Sequence, residues 1–148
     1  AMLKEPRLVR GTIEEVSVDP DCFTLYHILE HMLDVHGFLK VVREKLRPGG
    51  LLVIEIPNLF SFDFLTQGQN WHGLALPHHV RFYSAEGLGR LLARHGFRVL
   101  YSQPSVSQFF YERMAELSTA ICTEPAVIDR IARGVTGLSL VVIAKKEP

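Results

Sequence analysis

Histidine and glutamate residues that could transfer protons or bind a metal occur at two places in the sequence. His27, Glu30 and His31 lie close together, and His78 and His79 are adjacent further along the chain. The pKa of a free imidazole lies near neutrality, so a histidine can remove or return a proton under ordinary conditions. His78 and His79 follow an aromatic segment and precede a predicted helix, which is a suitable place for a general base. A purely structural role for these two histidines is the alternative.

The spacing of the first group also allows metal binding. His27, Glu30 and His31 are related as i, i+3 and i+4, so they share one face if they form a single helical turn. Imidazole nitrogens and carboxylate oxygens are common ligands of divalent metals. Our first expectation is that the chain holds no metal, and this ligand set is the alternative.

Composition and charge limit the classes of partner. The chain has 148 residues, of which 47% are hydrophobic and 22% are charged, values typical of a globular protein of about one domain. Lys and Arg together number 16, as do Asp and Glu, so the formal net charge is zero. A neutral chain lacks the electrostatic field that attracts nucleic acid or an anionic membrane. We therefore expect a small-molecule partner at a local site, and neither a nucleic acid nor a membrane partner.

The two cysteines indicate the compartment. Cys22 and Cys122 are far apart and do not have the spacing of a metal-binding pair. A disulfide framework is therefore not expected, and the cytoplasm is the predicted location. No apolar run reaches the roughly eighteen residues that cross a bilayer, and the charged N-terminal residues lack the apolar core of a signal peptide.

Hydrophobic periodicity predicts the elements that position the first group of residues. A short apolar stretch covers residues 8–13, and a buried strand is predicted over 22–26. Helical spacing of apolar residues predicts an amphipathic helix over 35–46. The turn at 48–50 ends it, and an apolar strand covered on both faces is predicted over 51–56. A helix, a tight turn and a buried strand together indicate a parallel α/β sheet.

The second half of the chain contains a long segment before further regular elements. Residues 57–77 are rich in Asn, Gln, Gly and aromatics without a sustained period, as is typical of a lid or binding loop. A helix capped by Ser84 and ending at Gly96 follows, and then a strand over 97–101. A helical region around 110–121 separates this strand from a final strand at 138–144. The last two strands can therefore form an antiparallel pair.

Several short motifs carry a family resemblance. Residues 21–31, DCFTLYHILEH, resemble the fourth-strand motif of class I S-adenosylmethionine-dependent methyltransferases, an F-D-x-[VL] strand that runs into an L-E-H turn. A helix, the turn LRPGG at 46–50 and a strand ending in EIPN at 55–58 follow in the order of that family. Residues 77–84, PHHVRFYS, resemble the H-x-x-[YF]-[FY]-[ST] segment of one of its branches. The ordered set covers roughly residues 8–146.

The resemblance implies the fold class and the extent of the domain. The expected fold is α/β, a partial Rossmann-like class I methyltransferase sheet of strands 3 to 7 with a C-terminal antiparallel strand pair. The family order is 3-2-1-4-5-7-6. The glycine-rich turn that opens the family's cofactor site has no match, since Gly87-Leu88-Gly89 lies inside a predicted helix. Thr24 replaces the usual Asp of the fourth-strand motif. We therefore expect residues 1–148 to form a single methyltransferase domain that is incomplete at its N-terminus.

The resemblance also implies a cofactor and the residues around it. S-adenosyl-L-methionine is the expected cofactor. Thr12 and Ile13 match positions that meet the adenine ring, and Tyr26 and His27 match positions beside the methionine part. Simple core packing is the alternative for Ile13 and Tyr26. His79 is in register with the histidine that is the base in sugar-methylating relatives.

Two further features of the resemblance concern the acceptor and the metal. The aromatic residues of the long segment could form an acceptor pocket with polar side chains beside it, or could cover the sheet edge instead. The aromatic residues are Phe60, Phe62, Phe64 and Trp71, and the polar residues are Asn58 and Gln69. In other relatives an E-x-x-E-H turn and a distant histidine hold a divalent metal. By this resemblance His27 replaces the first glutamate of that turn, and His78 or His79 would be the distant ligand.

The predicted function is methyl transfer from S-adenosylmethionine to a small-molecule or sugar-like acceptor. This reaction is an in-line displacement, which requires a positioned acceptor and, for a hydroxyl, a base. The alternative is a non-catalytic methyltransferase-like fragment that acts as an assembly or interaction module. In the second case, with the missing strands absent, the strand at 22–26 becomes an open apolar sheet edge, which favours a homodimer or a swapped N-terminal strand.

Overall fold

Seven regular elements make up the computed structural model, which describes residues 11–15, 17, 19–105 and 139–148. The strands are β1 (Cys22–Tyr26), β2 (Leu51–Pro57), β3 (Phe97–Ser105) and β4 (Ser139–Lys146), and the helices are α1 (Val35–Lys45), α2 (Phe62–Gln67) and α3 (Ala85–Arg94). Short 3-10 turns cover Ile13–Glu15, Leu29–His31, Gly68–Asn70 and His72–Leu74. The predicted strands at 22–26, 51–56, 97–101 and 138–144 and the predicted helices at 35–46 and 84–96 are confirmed.

The strands form one sheet in the order β1-β2-β4-β3. β1 is parallel to β2, with Tyr26 opposite Glu55. β4 is antiparallel to both of its neighbours, β2 and β3. This is the order 4-5-7-6 of the family sheet, so the predicted α/β class and the C-terminal antiparallel pair are confirmed.

Side-chain caps begin the two longer helices. Asp34 Oδ1 accepts a hydrogen bond from the Gly37 amide at 2.9 Å at the start of α1, and Ser84 Oγ accepts one from Gly87 at 2.9 Å at the start of α3. After α1, Gly49 adopts a φ of 73°, which allows the tight turn into β2. None of the helices in the described ranges combines the length and the apolar character needed to cross a bilayer.

The hydrophobic core lies on one face of the sheet. Alternate residues of β2 and β4 are buried there against apolar side chains of α1 and α3, and the principal members are Leu39, Val42, Leu52, Ile54, Leu88, Leu92, Val142 and Ala144. Val53 and Ile143, which point to the other face, are only half-buried. β2 therefore differs from the prediction of a strand covered on both faces, because both long helices pack on the same side.

The resemblance places Thr12 and Ile13 after the third strand, and in the structure they lie in a turn: Glu15 Oε2 accepts the Thr12 amide hydrogen at 3.0 Å, and the chain turns at Ile13–Glu15. One other expectation differs from the structure. The segment 57–77 is not an uninterrupted loop: it contains α2, capped by Ser61 Oγ, which accepts from the Phe64 amide at 3.1 Å. Six residues are too few to show a helical period in the sequence. Residues 8–10, the helical region at 110–121 and Cys122 lie outside the described residues.

Candidate functional site

The carboxyl ends of the two parallel strands, β1 and β2, meet at one edge of the sheet. His27 follows β1 directly, and its amide donates to the Glu55 carbonyl oxygen at 2.9 Å. The φ of His27 is 51°, in the left-handed region that residues other than glycine rarely adopt. This conformation turns the chain out of the strand before the Leu29–His31 turn begins. His27 therefore does not share a helical turn with Glu30 and His31, and the prediction of a single helix face is wrong.

A second segment, residues 77–81, lies across the Leu29–His31 turn, and we call it the histidine segment. Two of its amides share one acceptor in that turn, because Val80 and Arg81 both donate to the Glu30 carbonyl oxygen, at 2.9 and 3.2 Å. In the opposite direction, His31 Nδ1 donates to the carbonyl oxygen of His78 at 3.0 Å. These bonds bring the two groups of histidines that are distant in sequence into contact.

The Arg81 side chain reinforces this contact. Its Nε donates to the Met32 carbonyl oxygen at 2.9 Å, and its Nη2 donates to the Leu33 carbonyl oxygen at 2.7 Å. A planar guanidinium that bonds two successive carbonyls fixes both the distance and the angle between the segments. The histidine segment is thus held along its whole length by the chain that follows β1.

The Glu30 carboxylate is the buried charge of the site. Only 1% of the side chain is exposed, and its Oε1 lies 3.0 Å from His27 Nδ1 and 4.0 Å from His79 Nε2. The other oxygen, Oε2, is buried without a hydrogen-bond partner among the described residues. Burying a carboxylate is costly unless it is paired and hydrogen-bonded, so the neighbouring imidazoles compensate this charge only in part.

One ring nitrogen of His79 forms a hydrogen bond to the backbone, and the other has a lone pair that can accept a proton. Its Nδ1 lies 2.9 Å from the Gly73 carbonyl oxygen. A carbonyl oxygen only accepts hydrogen bonds, so Nδ1 carries the hydrogen and Nε2 has a lone pair in the neutral ring. The His79 side chain is 11% exposed, whereas His78 is exposed and contributes its backbone carbonyl. The structure therefore gives the two neighbouring histidines different environments.

Three side chains that could bind a metal lie close together, and Glu30 is one of them. Ligand atoms of Glu30, His31 and His79 all lie within 4.8 Å of one another. This set contains Glu30 and His31 of the predicted metal alternative and takes His79 as the distant ligand. His27, the third residue of that alternative, bonds Glu30 but lies outside the group.

A cavity of about 300 Å³ lies beside His79 at the carboxyl ends of the strands. Its lining residues are His27, Pro57, Trp71, His72, Gly73, His79 and Ser139. The volume is at the lower end of the range for small-molecule sites. The cavity therefore suits a small ligand in contact with both an imidazole and an indole.

The aromatic residues of the segment 57–77 have different roles. Trp71 is 2% exposed and lines the cavity, and Phe64 packs edge-on against it with a centroid distance of 5.6 Å. Phe60 is exposed. Asn58 Oδ1 accepts the Phe60 amide at 3.0 Å, so this side chain stabilises a local turn. Among the expected aromatics whose side chains are described, Trp71 is the one in the cavity wall.

Tyr83 adds a second unpaired polar group near the carboxylate. Its hydroxyl is buried without a hydrogen-bond partner in the described part of the chain. Burial raises the pKa of this hydroxyl, the Glu30 charge raises it further, and the Arg81 guanidinium opposes the shift. Tyr83 therefore stays protonated at neutral pH and can donate a hydrogen bond.

The expected cofactor contacts fall into two separate places. Tyr26 and His27 lie together at the carboxyl end of β1, where Tyr26 is 58% exposed. Ile13 packs against the core, and the neighbouring Glu14 carbonyl oxygen accepts a hydrogen bond from Lys45 Nζ at 2.7 Å. Lys45 is the last residue of α1, which begins near the end of β1 and finishes near the start of β2. The contacts of the Thr12–Ile13 segment therefore do not join it to Tyr26 and His27.

Sequence reasoning missed three residues of the site. Gly73 supplies the carbonyl that orients His79, His72 lines the cavity, and the Tyr83 hydroxyl is buried close to Glu30 and Arg81. A backbone carbonyl has no side-chain signal in the sequence. Tyr83 belongs to the motif at 77–84, which is the one signal that could have indicated it.

A family model described as a methyltransferase domain matches residues 10–102 of the chain. This match covers the described strands from β1 to most of β3 and includes every predicted site residue. No curated protein matches the chain at a significant level of sequence similarity.

Solved structures share the fold at low sequence identity. A SAM-dependent methyltransferase from Thermotoga maritima has a TM-score of 0.59 and 18% identity over 93% of this chain and 62% of its own. One from Archaeoglobus fulgidus has a TM-score of 0.58 and 22% identity over 93% of this chain and 66% of its own. The 1,6-didemethyltoxoflavin-N1-methyltransferase of Burkholderia thailandensis has a TM-score of 0.57 and 19% identity over 96% of this chain and 51% of its own. The chain thus spans just under two thirds of the length of the first two.

The Gly73→Ala substitution tests the packing of the cavity wall. A Cβ at Gly73 would overlap the indole ring of Trp71. We expect the substitution to displace the indole and to lower the free energy of unfolding by about 1–3 kcal/mol, as in other overpacked sites. Trp71 is the single tryptophan, so a red-shifted emission and increased quenching by acrylamide would report its displacement.

Gly89→Ala is the matched control for this experiment. Gly89 lies within α3, and the nearest atom to a Cβ there is Val99 Cγ2 at 3.9 Å. The control should leave Trp71 emission unchanged and stabilise the chain by up to about 1 kcal/mol, because alanine favours the helix. Unchanged emission and stability in Gly73→Ala would contradict the described contact.

Proposed function

The chain belongs to the class I S-adenosylmethionine-dependent methyltransferase family, and from this membership we propose that it takes part in methyl transfer to a small-molecule acceptor. The cofactor of this family supplies an electrophilic methyl group on a sulfonium centre. The observation that carries the proposal is the free Nε2 lone pair of His79 at the wall of a cavity beside the ends of the parallel strands.

Tyr26 and His27 are the proposed contacts to the cofactor. Both lie at the carboxyl end of β1, the end at which open α/β sheets bind ligands. The exposed Tyr26 ring offers a flat apolar surface, and His27 offers a polar ring held by Glu30. These two groups fit the methionine part of the cofactor. Thr12 and Ile13, the adenine contacts that the resemblance implies, are not included in this proposal, because the contacts of their segment do not join it to Tyr26 and His27.

The acceptor is proposed to bind in the cavity between Trp71 and His79. An indole face packs well against the apolar face of a sugar-like ring, and Trp71 Nε1 is buried without a hydrogen-bond partner among the described residues. A hydroxyl of the acceptor could accept that hydrogen. The Burkholderia thailandensis neighbour was solved with the small molecule 1,6-didemethyltoxoflavin bound, which is consistent with an acceptor of this size.

His79 is the residue proposed to activate the acceptor. The Gly73 carbonyl oxygen fixes the ring through Nδ1, so Nε2 is the atom that can act on an acceptor hydroxyl. The Glu30 carboxylate oxygen Oε1 lies 4.0 Å from Nε2. His78 lacks both features, and we assign it no direct role.

A homodimer through β1 is a separate proposal, supported by the open edge of the described sheet. His27 donates to the Glu55 carbonyl oxygen and Leu51 donates to the Asp21 carbonyl oxygen, both at 2.9 Å. Odd-numbered residues of β1 therefore bond β2, and the backbone N–H of Thr24 points to the other side. In the described residues no strand pairs with that side, and a second copy could do so.

The first test is binding of S-adenosylhomocysteine to the chain by calorimetric titration. We expect binding at micromolar concentrations, weakened about tenfold by Tyr26→Ala, which corresponds to about 1.4 kcal/mol. Tyr101→Ala is the matched control, since Tyr101 is also an exposed tyrosine but lies on β3 at the opposite sheet edge. Absence of binding would favour the assembly-module alternative, and equal loss in both variants would remove the role of Tyr26.

The second test separates the two adjacent histidines. His79→Ala should reduce formation of S-adenosylhomocysteine by about 10²–10⁴-fold, the usual contribution of acid–base catalysis. The measurement uses a panel of small hydroxylated acceptors, and the affinity for S-adenosylhomocysteine should not change. His78→Ala should retain turnover because its contribution is a backbone carbonyl. Full turnover in His79→Ala would remove His79 from the mechanism.

The third test concerns the sheet edge. Light scattering of the wild-type chain should give the mass of a dimer, and Thr24→Pro should give a monomer because proline removes the outward N–H. Thr24→Val keeps that donor and should remain dimeric. A monomeric wild-type chain at high concentration would contradict the proposal.

A further inference from the structure

Two histidines outside the site join the two long helices. His36 lies in the first turn of α1, His95 directly follows the last residue of α3, and His36 Nδ1 is 2.9 Å from His95 Nε2. We call these two residues the interhelical pair. We propose that the interhelical pair holds α1 against the end of α3 at neutral pH and no longer does so when both rings are protonated.

The geometry of the two rings indicates a direct hydrogen bond. A nitrogen–nitrogen distance of 2.9 Å is a hydrogen-bond distance. The ring centroids are 5.1 Å apart and the ring planes are inclined by 37°. Because the two nitrogens are much closer than the two ring centres, the rings meet through their nitrogen edges and do not stack. One nitrogen therefore donates its hydrogen to the lone pair of the other.

The pair is one of two described side-chain contacts between the same face of α1 and the end of α3. His36 and Arg43 are seven positions apart, so they lie on one face of the helix. Arg43 Nη1 donates to the carbonyl oxygen of Gly96, the residue after His95, at 2.9 Å. A guanidinium stays charged at every ordinary pH, so the histidine contact is the one that responds to pH. α1 follows the Leu29–His31 turn and α3 follows the histidine segment, so the pair joins the helices that continue from the site.

The number of bound protons determines whether the hydrogen bond exists. Two neutral rings form it, because each neutral imidazole has one N–H and one lone pair. A pair with one extra proton also forms it, and the charge on the donor strengthens the bond. A pair with two extra protons has no lone pair left, and two like charges then face each other. The contact is therefore lost with the second proton and not with the first.

The surroundings of His95 oppose that second proton. Burial lowers the pKa of His95, and the positive charge of His36 lowers it further. In the unfolded chain a histidine titrates near about 6.5. The unfolded state therefore binds this proton more readily than the folded state does. The resulting stability is fully present above about pH 6.5 and is lost as the pH falls toward the lowered pKa of His95.

The charged groups on the neighbouring elements do not compensate a doubly protonated pair. Within the described ranges, the carboxylates of α1, of α3 and of the chain after β4 have other partners: Asp34 accepts the Gly37 amide, and Glu44, Glu86 and Glu147 pair with Lys40, Arg90 and Arg98. The other charged groups beside the pair are cations, namely Arg43, which bonds Gly96, and Arg94, which precedes His95. Two imidazolium ions would therefore lack a counter-charge there.

The first experiment is an NMR titration of the imidazole protons of the full chain. The variants His36→Asn and His95→Gln assign the two rings, and each introduces an amide that can hydrogen-bond but does not titrate. We expect the wild-type pair to titrate in two steps, the lower of them below about pH 6.5. In His36→Asn, His95 should titrate in a single step whose midpoint is higher by about 0.5 pH unit or more, because the neighbouring charge is gone.

The second experiment compares melting temperatures at neutral pH and at about pH 5. On acidification the wild-type chain should lose about 2–4 °C more than the double variant His36→Asn/His95→Gln. His78→Asn is the matched control, because it removes an exposed histidine that is not part of the pair. This control should lose as much as the wild type. Circular dichroism at neutral pH confirms that each variant is folded.

Two results would overturn the proposal: an unchanged His95 midpoint in the folded His36→Asn variant, or an equal loss of melting temperature on acidification in the wild type and the double variant. If the double variant does not fold, the titration of His36→Asn is sufficient to test the pair, since His36 is exposed. Neither experiment involves the cofactor or the acceptor, so both results are independent of the proposed function.

Discussion

The site depends on Glu30, which acts through both its backbone and its side chain. Its carbonyl oxygen accepts the amides of Val80 and Arg81, and its buried carboxylate lies between His27 and His79. One residue thus joins two segments that are about fifty positions apart in the chain. The bond from His31 to the His78 carbonyl oxygen, the Arg81 side chain and the Gly73 carbonyl oxygen add to these contacts, and together they fix the histidine segment and the His79 ring above the strand ends.

The burial of the Glu30 carboxylate explains why many neighbouring polar groups have fixed orientations. A carboxylate removed from water must have nearby donors or positive charge, and the low local dielectric strengthens each of these contacts. Three buried polar atoms lack a partner in the described part of the chain, on Glu30, Trp71 and Tyr83. Trp71 lines the cavity beside His79, and Tyr83 is close enough to Glu30 to feel its charge. Each of these buried groups can still form a hydrogen bond with a ligand or a water molecule.

The sequence predicts the regular elements well and the site only in part. α1, α3 and the strands follow from apolar spacing and from local caps such as Ser84, which act between neighbours in the chain. α2 has too few residues to show a helical period. The left-handed backbone conformation of His27 results from the turn of the chain out of β1, so neither feature has a local signal in the sequence. The motifs indicated His79, but its distinction from His78 depends on the Gly73 carbonyl. Such long-range bonds are not readable from residue spacing.

The sheet order also has a consequence for the way the chain folds. β4 is the last strand in the sequence, yet it lies between β2 and β3 and is the pairing partner that joins them. β3 and β4 are separated by more than thirty residues of the chain, so in the described sheet the edge of β3 has no partner until β4 inserts. Such non-local pairing slows folding and exposes a strand edge to other chains. The insertion of β4 therefore both joins β3 to β2 and removes this edge from contact with other chains.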